Sequence, residues 1–453
     1  MSESRKIFLL IALGILSLFP NINLYEFRGE ESLRTIVAFE MADSHNYLQP
    51  TFLGDLYFNK PPLFNWFIVL SSKLIPWSEL TARIVSILFV FLTVFLIYRF
   101  SYKLFKNTEL ALLSGLLYLI SVDILFWYGY LAEIDVTLAF FVFLMFYIQY
   151  KGYFERNNYF VLLSGITACI TFLLKGFPAF LFFGVTYICF VLYRRDFRYL
   201  LNPFLWLSGI LAITIPTVWI FSTSNPEMYI KRLFIESVIR AEGSSDITKL
   251  LVHFITYPLL NIKQLIPASV LVAVILFFAY RNRAKVQLPS EIKLFLFVAF
   301  VNYLPYLLAV HSRGRYVIPL FPIIMVVSGY IIHNIGREKW IRIAIYTAVV
   351  LIMARFILGF VGFPIFMEKK ASRKRAAYDI AKKIDLNSNI ACDCKSEKTV
   401  CLYIDFLKGK AVKTSRHTPN WDYLIDCSDK SKGKEILSYD LRGKILKVYK
   451  RVK

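Results

Sequence analysis

The sequence predicts an all-α, multi-pass membrane protein of about eleven transmembrane helices, followed by a small C-terminal α/β domain. Three observations carry that expectation. Of the 453 residues, 57% are hydrophobic, and the mean hydropathy is +0.55. The apolar residues come in runs of 17 to 22, enough to cross a hydrocarbon core of about 30 Å at about 1.5 Å per residue. Basic residues recur in the short connections between those runs.

In lipid each backbone N–H and C=O must be paired within its own segment, so such runs have to be helices. The alternating segments of about ten residues that a β-barrel needs do not occur. Candidate spans are 7–24, 81–102, 109–130, 134–152, 159–175, 177–194, 204–222, 264–281, 291–310, 315–334 and 340–361. The first lacks a small-residue A-x-A cleavage pattern, so it reads as a retained helix and not as a removed signal peptide. With the N-terminus inside, the connections near 99–106, 151–156, 194–198, 281–293 and 337–342 are cytoplasmic, and all are basic. That agrees with the positive-inside rule. It accounts for much of the net charge of +22 without a nucleic-acid partner.

The opposite side then holds the loop 25–80, the turns near 131–135 and 175–178, the loop 223–263, the turn 311–315 and everything after 362. All of these can converge on one extracytoplasmic cavity. We divide the chain into a transmembrane domain, 1–367, and a soluble extracytoplasmic domain, 368–453. The second carries 22 basic and 11 acidic residues, half of the net charge. Ala371–Ile384 has the pattern of an amphipathic helix, and 400–404, 423–425 and 445–448 read as short strands. Cys169 and Cys189 lie in apolar runs and read as packing residues. Cys392, Cys394, Cys401 and Cys427 lie in the tail and contain no C-x-x-C pair, so outside the cytoplasm one or two disulfides are expected.

The loop 25–80 concentrates the chemistry. It holds Glu30, Glu31, Arg34, Glu40, Asp43, Asp55 and Lys60 within 31 residues. Arg34, Ala38 and Met41 or Ala42 recur at helical spacing, so 31–44 is expected to be an amphipathic helix at the membrane surface. Glu30 and Glu31 stand at its N-terminus, where the helix dipole favours carboxylates, so either can serve as a general base. Lys60-Pro61-Pro62 follows a turn at Gly54. The prolines keep the following chain from helixing back over Lys60, which leaves its ammonium at the height of a lipid phosphate.

Three other turns lie on the same side. Glu133-Ile134-Asp135 sets two carboxylates at the start of a span. Lys175, between two apolar helices, needs an anionic partner or must reach the interface. His311-Ser-Arg-Gly-Arg-Tyr316 breaches the positive-inside rule, which points Arg313 and Arg315 at an anion such as phosphate. Within the loop 223–263, with Tyr229, Lys231, Arg232, Glu236, Arg240, Glu242, His253 and Tyr257, no residue stands out. The spacing contains neither a G-x-x-x-x-G-K-[ST] loop nor a G-x-G-x-x-G fingerprint.

The stretches Gly29-Glu-Glu-Ser-Leu-Arg-Thr-Ile-Val-Ala-Phe-Glu-Met41 and Tyr47 to Trp66, with Lys60-Pro-Pro-Leu-x-x-Trp66, resemble the first outer loop of a bacterial enzyme family. These are the aminoarabinose and dolichyl-phosphate-mannose-type glycosyltransferases, membrane enzymes of the GT-C fold. The resemblance covers about 40 residues. It implies transfer of a sugar from a polyprenyl-phosphate carrier to a lipid, glycan or protein acceptor, with inversion, at the outer face of the bacterial inner membrane. It also implies a catalytic base at Glu30, with Glu31 beside it and Asp135 as a further acidic residue at the cavity. Arg34, Lys60, Lys175, Arg313, Arg315 and Tyr316 would bind substrate, the carrier phosphate above all. Asn59 stands where the aminoarabinose transferases can carry a metal-binding glutamate, so a divalent cation is left open and no cofactor is assigned. The rival reading is a transporter or flippase of lipid-linked sugars.

Overall fold

The computed structural model describes residues 2–241, 247–370, 372–428 and 433–452, with the side chains of 238–241 left out. Glu242 therefore lies outside the described residues. Helices α1 (Glu3–Leu16), α2 (Glu31–Ser44), α3 (Leu63–Ser72), α4 (Glu79–Phe105), α5 (Thr108–Leu119) and α6 (Ile134–Phe154) come first. They are followed by α7 (Asn158–Lys175), α8 (Pro178–Arg194), α9 (Pro203–Phe221), α10 (Pro226–Ala241), α11 (Ile247–Gln264) and α12 (Ala268–Arg281). The rest are α13 (Ser290–Leu308), α14 (Phe321–Tyr330), α15 (Arg337–Ile357), α16 (Phe363–Lys370), α17 (Ser372–Lys383) and α18 (Lys398–Lys408).

Each of the eleven expected spans is helical over most of its length, but not all are long enough to cross a bilayer alone. Among the described residues seven helices, or eight if the bent pair α11–α12 counts as one, pass on length and apolarity. The first helix stops at Leu16, 14 residues in all. The third expected span breaks after Leu119 and resumes as a π-turn, Ile124–Tyr128. Helix α8 has 17 residues. These are multi-pass membrane helices by their surfaces as well. Trp206, Ile210, Phe221, Tyr280, Phe300, Tyr346 and Val350 stand exposed on α9, α12, α13 and α15. Apolar faces of that extent find a favourable solvent only in lipid.

Local chemistry sets the helix starts. Asn107, Asn157 and Asn202 each accept from a backbone N–H of the first turn of α5, α7 and α9. Ser78 and Thr81 form a capping box on α4. Each satisfies donors that a helix cannot satisfy itself.

Two expectations about the loop and the tail are corrected. Helix α2 forms at the expected residues but does not lie on a surface. Glu31, Ser32 and every residue from Arg34 to Met41 are buried, because α3 packs on one side and α18 on the other. The segment 400–404 is not a strand; it is the middle of α18. Its apolar side chains serve two neighbours at once, α17 and α2, and a helix that is covered on several faces reads as a continuous apolar run.

The helix expected at 371–384 and the strands expected at 423–425 and 445–448 form close to those bounds, while two further strands, 390–392 and 434–440, are unexpected. Strands β1 (Thr51–Phe52) and β2 (Asp55–Leu56) form a short hairpin in the loop. In the tail, β3 (Ile390–Cys392), β4 (Tyr423–Asp426), β5 (Lys434–Asp440) and β6 (Ile445–Lys450) make one sheet in the order β3-β4-β6-β5. β3 runs parallel to β4, and the other pairs are antiparallel. Disulfides join Cys392 to Cys401 and Cys394 to Cys427, while Cys169 and Cys189 are free and buried. The boundary placed at 367 falls inside α16, which continues the last apolar helix through Lys370. The sheet domain shares its hydrophobic core with the loop 25–80. Tyr403 bonds Glu79 at 2.7 Å and receives the Phe27 N–H at 3.1 Å.

Candidate active site

Glu31 shows how the loop is fixed. Its carboxylate takes two bonds from Arg83, at 2.8 and 2.9 Å. It also accepts the Ala132 and Arg28 N–H groups, at 2.9 and 2.8 Å. Arg83 in turn donates to the carbonyls of Tyr25 and Glu26. The Glu31 side chain is 0% exposed, whereas that of Glu30 is 38% exposed. One residue apart at a helix start, the two carboxylates point in different directions.

Glu30 opens on a cavity of about 580 Å³. Arg34, Lys60, Asp135, Lys175, Arg313, Arg315 and Tyr316 all line it, and Glu31 does not. Residues as much as 286 positions apart in the chain, from Glu30 to Tyr316, are thus brought to one space. Tyr57, Glu133 and Glu236 line it too. Glu133 is legible in the sequence as the first of the two carboxylates at the start of α6. Tyr57 and Glu236 carry no signal of their own in the sequence.

Each segment reaches the cavity for a local reason. Glu40 receives the Thr51 hydroxyl and lies 3.3 Å from the Gly54 N–H. It thereby holds the β1–β2 hairpin against α2. Leu53 and Gly54 both have positive φ, 51° and 82°, the pairing of a type I′ turn. A side chain at 54 would also press on His417 of the tail, 2.9 Å away. The chain leaving the hairpin delivers Tyr57 and Lys60. The Tyr57 hydroxyl accepts from Arg34 at 2.9 Å, and Tyr229 holds the Lys60 carbonyl at 3.0 Å. Helix α3 starts only at Leu63, after the proline pair.

The charges in the cavity are interleaved. Glu30 lies 3.3 Å from Arg34. Lys60 pairs with Glu236 of α10. Asp135 pairs with Lys175 at 2.6 Å and lies 3.8 Å from Arg315, which also binds Glu133. The Lys175 ammonium sits 5.0 Å from the centre of the Tyr316 ring. Burial, followed by repulsion from Asp135, raises the Glu133 carboxyl to about 7. Arg313 lines the cavity beside Arg315 and forms no ion pair among the described residues.

A second, apolar cavity of about 230 Å³ adjoins the first and shares Lys60, Lys175, Glu236 and Tyr316 with it. Its other walls include Phe177, Leu181, Leu233 and Tyr306. The donor set for a metal is poor: Asn59 lines the cavity with an amide and not a carboxylate, and among the described residues no three His, Cys, Asp or Glu side chains stand close enough together to hold an ion.

The chain is similar to several known proteins. The family of dolichyl-phosphate-mannose-protein mannosyltransferases matches residues 59–221. An undecaprenyl phosphate-alpha-4-amino-4-deoxy-L-arabinose arabinosyl transferase of Proteus mirabilis is 25% identical over 247 residues, 53% of this chain and 44% of that protein. Its counterpart in Pseudomonas aeruginosa is 29% identical over 198 residues, 43% of this chain and 36% of the other. The matched part thus spans less than half the length of these curated relatives. The crystal structure of ArnT from Cupriavidus metallidurans bound to undecaprenyl phosphate superposes with a TM-score of 0.74 at 15% identity, covering 98% of this chain and 97% of that one.

The chain resembles the GT-C membrane glycosyltransferases. The GT-C likeness runs through both the helical part and the sheet domain, since the superposition leaves almost nothing out. Within it, Lys60 and Asp135 lie inside the family match and Glu30 lies before it.

Proposed function

We propose that the protein is a glycosyltransferase that takes a sugar from a polyprenyl-phosphate carrier at an extracytoplasmic cavity. One observation carries this reading: Glu30 opens on the same cavity as Arg34, Lys60, Arg313 and Arg315. A base and an anion-binding cluster in one space are what displacement of a phosphate from a sugar requires. The two tail disulfides support the extracytoplasmic placement, since such bonds persist in oxidising compartments.

The carrier phosphate sits against Lys60, Arg313 and Arg315, and its polyprenyl tail runs along the adjoining apolar cavity. Glu30 accepts the proton of the acceptor hydroxyl. The acceptor oxygen forms its bond to the anomeric carbon as the bond from that carbon to the phosphate oxygen breaks. The phosphate leaves with the electron pair, and the gathered cations stabilise the added charge. Attack from the face opposite the leaving group inverts the anomeric centre. Asp135 acts as a positioning residue that holds Lys175 and Arg315. Glu31 holds the loop and takes no part in proton transfer. No step runs through a metal.

The test is mass spectrometry of lipid-linked sugars and envelope glycans in a deletion strain. Accumulation of a carrier-linked sugar, together with a glycan lacking that sugar, is expected. An unchanged glycan profile beside loss of carrier translocation would instead identify a flippase.

A further inference from the structure

A third cavity, of about 410 Å³, borders the candidate active site and shares Arg313 and Arg315 with it. Its remaining walls come from residues 122–128 after α5, from the end of α11 and from Gly314. Nothing in the donor reading uses it. Two features of its lining are unusual for a chance crevice.

The first is an ordered chain of amides. The Tyr303 hydroxyl donates to Asn261 Oδ1 at 2.9 Å. Asn261 Nδ2 donates to Gln264 Oε1 at 2.8 Å. Gln264 Nε2 then donates to Asp123 Oδ2. Asn261 and Gln264 are buried, so each amide has one orientation that satisfies both its ends. The chain holds Asp123 at the cavity. Its other oxygen, Oδ1, accepts no hydrogen bond among the described residues. Gly314 completes the lock: a Cβ there would lie 2.8 Å from Gln264 Nε2. The turn that carries Arg313 and Arg315 is thus fitted to the amide chain.

The second feature is Trp127, whose indole lines the same cavity and is 41% exposed. The Arg28 guanidinium stacks on it at 5.2 Å and is itself held by the Tyr25 hydroxyl at 2.7 Å. The ring is therefore presented in a fixed pose beside a carboxylate and Lys263.

A fixed aromatic face next to an oriented carboxylate and an ammonium suits one class of ligand. A pyranose ring lays its C–H face on the indole, gives hydroxyl protons to a carboxylate and accepts from cations. We propose that this cavity is the acceptor subsite and that the acceptor is a glycan. This rests on the glycosyltransferase reading. A ring bound at Trp127 and Asp123 would carry its neighbouring sugar past Arg313 and Arg315 into the cavity of Glu30. A peptide can also donate to the carboxylate, but it does not combine a broad C–H ring face for the indole with a rim of hydroxyls for the carboxylate. An indole that served only as an interfacial anchor would need no amide chain beside it.

The experiment uses the full chain in lipid nanodiscs on an array of bacterial glycans, with undecaprenyl phosphate binding measured in parallel by native mass spectrometry. Wild type is expected to bind a defined set of glycans. Trp127→Ala and Asp123→Asn should each weaken that binding by about tenfold or more, with undecaprenyl phosphate affinity unchanged. Trp127→Phe should keep most of the glycan binding, which separates loss of a stacking face from misfolding. Glycan binding indifferent to these changes overturns the subsite. So does a wild type that binds undecaprenyl phosphate and acceptor peptides but no glycan. A wild type that fails to bind undecaprenyl phosphate at all counts against the glycosyltransferase reading instead.

Discussion

Glu31 and Arg83 form a two-point ion pair in which both side chains are buried, at 0% and 1% exposure. Arg83 also ties down the carbonyls of Tyr25 and Glu26, so this one pair fixes both the loop before α2 and the start of α4. Glu30, the next residue back, is left to face the cavity. The two glutamates should therefore separate in experiment. Glu31→Gln leaves a buried guanidinium without its counter-charge and should cost about 3–5 kcal/mol of stability, read as a lowered Tm in nanodiscs. Glu30→Gln should keep the wild-type Tm and lose about 10²–10⁴ in kcat. Equal thermal losses in both variants, or full activity in Glu30→Gln, would refute the assignment.

Lys60 already has an anionic partner, Glu236. A carrier phosphate must compete with that carboxylate. Lys60→Ala should weaken undecaprenyl phosphate binding by about 10–100-fold. Glu236→Gln should act in the opposite direction and tighten it severalfold, because the competing charge is gone. Titration of both variants with undecaprenyl phosphate checks the signs. Weaker binding in Glu236→Gln would show that the carboxylate helps to hold the carrier.

Glu133 offers a pH signature. Burial and then Asp135 raise its carboxyl from the usual 4.5 to about 7. The folded state therefore binds this proton more tightly than the unfolded chain does. The resulting stability is fully present below about 4.5 and is lost as the pH rises to about 7. Glu133→Gln should flatten the fall of Tm across that window. Parallel Tm profiles for variant and wild type would reject the shift.

The tail disulfides close loops of 9 and 33 residues' separation. Non-reducing peptide mapping should find Cys392 linked to Cys401 and Cys394 to Cys427, with Cys169 and Cys189 alkylatable after denaturation. Replacing Cys394 and Cys427 together by Ser should destabilise the sheet domain by about 2–5 kcal/mol. Because that domain packs on the loop through Tyr403, Phe27 and Glu79, the loss should also appear as reduced transfer activity. Denaturant unfolding followed at the tail reads the first effect and a transfer assay the second.

A multi-pass helical membrane protein is legible in the residues alone, because runs of apolar residues have few ways to satisfy their backbone in lipid. So are the charged turns at Glu30–Glu31, Lys60, Asp135, Lys175 and Arg313–Arg315, since charge at the end of an apolar run needs a reason. Tertiary structure alone decided what each charge faces. Glu30 and Glu31 are adjacent and chemically alike, and only the arrival of Arg83, 52 residues on, gives the second a buried partner. Glu236 and Tyr57 sit in unremarkable local sequence and reach the cavity through the packing of α10 and of the hairpin. Residues 400–404 read as a strand from their β-branched and aromatic run, yet form the middle of α18 because two layers cover them. Local pattern reports how much of a segment is apolar. Which neighbour covers it, and which charge meets which, depends on contacts between residues hundreds of positions apart.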